Sequence, residues 1–87
     1  MIYWGKYMES VFDLSFTNHG SIWAPDRSGT LTQQQIRGAD YANELVRYMR
    51  ATGNTVLHIH ILRAMDLNER VEIGFLNRLG YFLASLE

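Results

Sequence analysis

The chain has 87 residues, room for one domain spanning 1–87, and its 47% hydrophobic, 20% charged and 13% aromatic composition with one proline excludes the regime of disordered chains. Eight basic against nine acidic side chains give a net charge of −1, so neither the broad positive field of a typical nucleic-acid binder nor the negative field of a DNA mimic is present overall. The absence of cysteine removes disulfides, thiolate zinc sites, iron–sulfur clusters and thiol nucleophiles together.

The opening segment, Met1 to Phe12, carries Lys6 and Glu9 among its apolar residues and lacks the unbroken apolar run and small-residue cleavage site of a secretory signal. Nowhere do about 18 apolar residues run together, so no membrane span is expected and the chain reads as a cytoplasmic protein. Tyr3, Trp4 and Tyr7 are binding anchors if exposed and close the edge of the core if buried.

Residues 11–17 alternate, with Phe12, Leu14 and Phe16 on one side and Asp13, Ser15 and Thr17 on the other, which predicts a half-buried strand. Asn18-His19-Gly20 then supplies turn formers, and Ser21 to Ala24 resumes an apolar run that Pro25 ends. A β-hairpin over about 11–24 follows, with its apolar face against helices because an isolated two-stranded ribbon is marginal in water. Residues 25–29 form the connecting loop.

Thr32 and Gln35 match a capping box and open a helix in which Ile36, Ala39, Ala42, Leu45, Val46 and Met49 share one arc. It runs to about Thr52, where Gly53 suits a left-handed C′ position and Arg47 and Arg50 suit the negative pole of the dipole. Residues 55–65 read either as a third strand, favoured by their β-branched content, or as a buried helix capped by Asn54. The last segment, 69–86, reads as a helix in which Glu69 and Glu72 complement the dipole. Its apolar residues spread over roughly 220°, more than one covered side requires, so neighbours or a second copy must wrap it. Gly74 lies on the narrow remaining face, where a small residue permits close backbone approach.

Few residues suggest chemistry. His58 and His60 converge on one face if residues 55–65 are a strand and diverge by about 200° if they are a helix. A metal site would need a third ligand, His19 or a carboxylate, and no H-E-x-x-H spacing, nucleophile elbow or phosphate-binding glycine loop occurs. Neither catalytic residues nor a cofactor is expected. Arg37, Tyr41, Glu44 and Tyr48 lie within about 60° on the flank of the first helix and form a mixed aromatic and charged stripe of the kind enriched at protein interfaces. The competing reading has the two tyrosines leaning on the hairpin with their hydroxyls wet. A helix-turn-helix is a further alternative for the C-terminal half, but its second helix would begin Glu69-Arg70-Val71-Glu72, placing two acids toward the phosphates.

The segments Thr52-Gly53-Asn54, Arg63-Ala64-Met65 and Val71-Glu72-Ile73-Gly74-Phe75 resemble those of small proteins encoded by bacteria and their phages, a likeness confined to the C-terminal half. The resemblance implies a helix at 55–65 and a compact helical C-terminal unit, and it supplies no catalytic residue. Thr55 departs from it, standing where a proline would open the second helix.

Together these readings predict an α+β fold, with the hairpin packed on helices near 32–52 and 69–86. The expected function is a small non-enzymatic protein-binding regulator, a phage-derived inhibitor of a host protein or defence complex in the anti-CRISPR manner. It would act sterically through Trp4, Tyr7, Arg37, Tyr41, Glu44 and Tyr48. The expected partner is a protein, with a homodimer through the 69–86 helix as a further expectation and nucleic acid disfavoured. The alternatives are a helix-turn-helix transcriptional regulator and a metal-dependent enzyme using His58 and His60.

Overall fold

The computed structural model describes residues 11–85. It is all-α: a 3-10 turn at Val11–Asp13 leads through an irregular segment into helices α1 (Leu31–Thr52), α2 (Leu57–Ala64) and α3 (Arg70–Ala84). No helix among the described residues is long and apolar enough to cross a membrane.

The α+β expectation is therefore wrong, because the described residues contain no β-strand. The chain does double back where the turn formers lie, with Asn18 and Ser21 exchanging both backbone hydrogen bonds at 3.1 and 3.0 Å and the Ala24 amide donating to the Phe16 carbonyl at 2.6 Å. No ladder grows from this turn. The Leu14 amide, which in this register would extend the pairing, bonds instead to the Val11 carbonyl at 3.3 Å. The Ser15 amide, facing away from the returning segment, donates to Glu44 Oε2 of α1 at 2.9 Å, and the Thr17 hydroxyl donates back to the Leu14 and Val11 carbonyls. Alternation reports which side chains are buried, and a coil held to a helix satisfies it as well as a strand. Leu14 and Phe16 are buried and Phe12 is 44% exposed.

Helix α1 starts two residues earlier than expected. Thr30 is the N-cap: its hydroxyl accepts from the Gln33 amide at 3.1 Å, and Gln33 Oε1 accepts from the Thr30 amide at 2.8 Å. Gly29, at φ 93°, lets the chain turn into this cap, so the first of two overlapping Thr-x-x-Gln matches prevails. The C-terminal end falls where expected, with Gly53 at φ 73° and its amide on the Met49 carbonyl at 2.9 Å.

Residues 57–64 resolve to a helix. Asn54 Oδ1 accepts from the amides of Val56 and Leu57, both at 2.9 Å, and the two buried residues, Leu57 and Ile61, stand at i, i+4 spacing. Packing of that pair overrides the β-branched preference of the segment. Helix α3 begins at Arg70 without a side-chain cap.

The principal helix contact is between α1 and α3. Contacts advance in step along both, from Asn43 with Arg78 to Arg50 with Phe82, so the two run in the same direction while α2 returns the chain between them. They meet at two glycines. A Cβ on Gly38 would overlap the Val71 carbonyl and stand 2.8 Å from the Phe75 amide nitrogen, and one on Gly74 would overlap the Gln35 carbonyl. Beside this crossing lie the fully buried Phe16, Leu45, Ile61, Val71 and Phe75. Phe75 packs 5.2 Å from the Trp23 ring, which in turn lies 5.4 Å from Phe16, so the irregular N-terminal segment closes the core that α1 and α3 open. Each buried phenylalanine contributes about 2–3 kcal/mol of transfer free energy.

Candidate partner-binding site

A buried carboxylate is where a catalytic site would be sought first, and Glu72 in the first turn of α3 is fully buried. Its acceptors are already engaged. Oε1 takes Arg27 Nη1 at 2.8 Å, while Oε2 takes Arg27 Nη2 at 2.7 Å, Trp23 Nε1 at 2.9 Å and the Asp66 amide at 3.1 Å. Burial pushes the carboxyl upward, but these donors together outweigh it and hold the group below the ordinary glutamate range. In return, the hydrogen bonds to Glu72 raise the Arg27 guanidinium. Glu72 therefore stays ionised and fully bonded, unlike a general base poised near neutrality. Its work is structural: it pins the 23–27 loop and the α2–α3 turn onto α3.

The residues singled out on the α1 flank are likewise engaged within the fold. Tyr41 is buried in the aromatic cluster, 5.6 Å from Phe16, and its hydroxyl accepts from the Asp26 amide at 3.1 Å. Arg37 donates to the Asp26 and Ser28 carbonyls at 3.0 and 2.7 Å. Asp26 accepts from the Ser28 amide, the main cause of its carboxyl lying below the usual range. Glu44 receives the amide and hydroxyl of Ser15, and Tyr48 packs against the core. Arg37, Tyr41 and Glu44 thus hold down the segment before α1. Trp4 and Tyr7 lie outside the described residues.

The helical form of 57–64 separates the two histidines. His60 is exposed, His58 is half-buried, and no group of three His, Cys, Asp or Glu side chains among the described residues has metal-binding geometry. His58 lines a different feature.

Beyond the glycine crossing, α1 and α3 leave a groove of about 400 Å³ that α2 closes at one end. Leu45, Val46 and Met49 of α1 and Leu79, Phe82 and Leu83 of α3 supply apolar walls, and His58 of α2 lines it together with Asn54 and Thr55. The Nδ1 atom of His58 is buried without a hydrogen-bond partner among the described residues. Leu83 on the rim is 70% exposed, and Tyr81 on the neighbouring face of α3 is 60% exposed. The breadth of the apolar arc on the last helix is thereby accounted for in part: α1 and the N-terminal segment cover Val71, Gly74 and Phe75, and the last turn is left bare.

The groove continues into a second cleft of about 340 Å³, which shares Val46, Arg50 and Phe82 with it and adds Asn43, Arg47 and Arg78. Arg78 Nε donates to Asn43 Oδ1 at 2.8 Å, and its guanidinium carbon stands 4.7 Å from the centre of the Tyr81 ring and 5.0 Å from that of Phe82. Arg50 approaches the same Phe82 ring at 5.8 Å. The aromatic rings thus hold two cations beside an apolar trough. Three arginines and no carboxylate line these two clefts, although the whole chain is slightly acidic. A third, open depression of about 470 Å³ lies over the glycine crossing, and Arg78 is its single charged residue.

Sequence reasoning assigns Leu45, Val46 and Met49 to the covered arc of α1, and Arg47 and Arg50 to dipole compensation. The signal available is the arginine spacing near the α1 terminus, which becomes a cluster only once Arg78 is known to lie alongside. No family model, curated protein or solved structure matches the chain.

Proposed function

We propose that the chain is a small non-enzymatic regulator that binds another protein and acts by covering part of its surface. The observation that carries this reading is the groove that the described residues leave open between α1, α2 and α3, apolar on its walls and bordered by three arginines, while the one fully buried carboxylate among the described residues is committed to structure. Arginine and aromatic residues around an apolar depression are the usual composition of an anchoring site. The resemblance of the C-terminal segments to small bacterial and phage proteins gives the proposal its setting, inhibition of a host protein or defence complex.

The other two readings find less support. Helices α2 and α3 have helix-turn-helix order, yet Val71 and Glu72 in the first turn of α3 are buried, under the loop that carries Trp23 and Arg27. The end that would enter a DNA groove is occupied. A metal-dependent enzyme would need His58 and His60 to converge, and helical spacing sends them apart.

Tagged full-length protein recovered from its source cells should retain one protein in a stoichiometric complex that survives gel filtration, with a mass by light scattering equal to the sum of the two. Recovery of the chain alone, of its homodimer alone, or of the chain with nucleic acid alone contradicts the proposal.

A further inference from the structure

Resting on the protein-binding reading, we infer that the groove takes an acidic amphipathic helix of the partner, its apolar face on Val46, Met49, Leu79 and Leu83 and its carboxylates on Arg47, Arg50 and Arg78. First, the charge is one-sided: the two joined clefts hold three arginines and no acid in a chain of net charge −1, so their complement is a surface carrying carboxylates. Second, the trough is walled by leucine, valine, methionine and phenylalanine, which apolar side chains fill and phosphates do not; this favours a peptide over a nucleic acid. Third, the described residues present no sheet edge to which an extended peptide could add a strand, whereas a trough between two helices receives a third through residues spaced i, i+3, i+4, i+7. A second copy fits poorly, since a two-fold interface through this face would set the same three arginines against each other.

The test uses three fluorescently labelled probes against the full chain, read by anisotropy. One is a synthetic helix of about 18 residues with leucine on one face and glutamate elsewhere, the second carries lysine in place of glutamate, and the third is a single-stranded oligonucleotide of similar length. The glutamate peptide is expected to bind at least about tenfold more tightly than the lysine peptide, a preference that fades as salt rises. The double variant Arg47→Glu/Arg50→Glu, both exposed, should reverse that order, and Leu83→Glu should weaken the glutamate peptide by about tenfold while leaving the melting temperature nearly unchanged. Equal affinity for the two peptides overturns the inference. So does tighter binding of the oligonucleotide, indifference to the double variant, or a homodimer that excludes the peptide. A stoichiometric partner captured equally well by the double variant would leave the protein-binding reading standing and remove the acidic helix from this groove.

Discussion

Glu72→Ala is expected to be among the most destabilising single changes in the domain, at about 3–5 kcal/mol, the range for removing one partner of a buried ion pair. The substitution strands Trp23 Nε1 and the Asp66 amide and releases Arg27, so the 23–27 loop and the α2–α3 turn both lose their tie to α3. For a domain of this size each kcal/mol moves Tm by about 4–8 °C, so a thermal melt should drop by well over 10 °C. Glu72→Gln keeps the shape and one acceptor oxygen but forfeits the charge, and because Arg27 remains partly solvated its cost should be smaller, about 1–3 kcal/mol. Acid should mimic the loss. The native carboxyl titrates below its unfolded value, so its contribution is fully present above about pH 5 and disappears as pH falls through the lowered native value. Asp26, also held low, adds in the same direction. Denaturant midpoints measured from pH 7 down to pH 3 should fall in the parent and fall less steeply in Glu72→Gln. Parallel curves for the two proteins would show that Glu72 is not the titrating contributor.

Substitution of the crossing glycines should be comparably severe. Gly38→Ala and Gly74→Ala each place a methyl group against a backbone carbonyl of the opposite helix, and a backbone cannot swing aside as a side-chain tip can. Relief requires α1 and α3 to separate along their whole contact, which disturbs Leu45, Val71 and Phe75 in turn. A cost of about 3 kcal/mol, at the upper end for overpacking, is expected for each. Gly80 supplies the control: it lies on the same helix as Gly74, and a methyl group there would meet nothing within 4 Å, so Gly80→Ala should raise stability by about 0.5–1 kcal/mol through helix propensity alone. Equal effects at Gly74 and Gly80 in a denaturant titration would contradict the close crossing.

These two features differ in how far the sequence reveals them. Close approach at Gly74 is readable, since the glycine sits on the narrow face of an otherwise broad apolar helix; its counterpart Gly38 carries no such mark. Glu72 is not readable, because a glutamate in a first turn looks like a dipole partner wherever it occurs, and its donors Trp23 and Arg27 lie 49 and 45 positions away. The helix ends are legible from Gly53 and from a Thr-x-x-Gln pair, though the pattern repeats two residues apart and geometry at Gly29 selects the earlier copy. The hairpin fails for a different reason. Alternating burial at Leu14 and Phe16 is real, but the Leu14 amide closes a local turn onto the Val11 carbonyl, and the Ser15 amide ties the segment to Glu44, a partner 29 residues distant.

The candidate site is legible in its ingredients and not in its assembly. The apolar arcs of the first and last helices both exist, and periodicity alone does not say which end of each is left uncovered. Because α1 and α3 cross at their N-terminal halves and run in the same direction, their C-terminal halves carry Met49, Leu79 and Leu83 to a common trough and Arg47, Arg50 and Arg78 to its border. The stripe of Arg37, Tyr41, Glu44 and Tyr48 has the composition of an interface, and its first three members hold the segment before α1, as a self-contact between parts of one chain draws on the same chemistry as a contact between two.

The most direct measurement is methyl-resolved NMR of the full chain titrated with the protein it retains from its source cells. The methyl groups of Val46, Met49, Leu79 and Leu83 should shift or broaden on complex formation, while those of Ile59 and Leu67, exposed but outside the groove, should keep their positions. Perturbation confined to Ile59 and Leu67, with the groove methyls unmoved, would place the partner on another face and contradict the account.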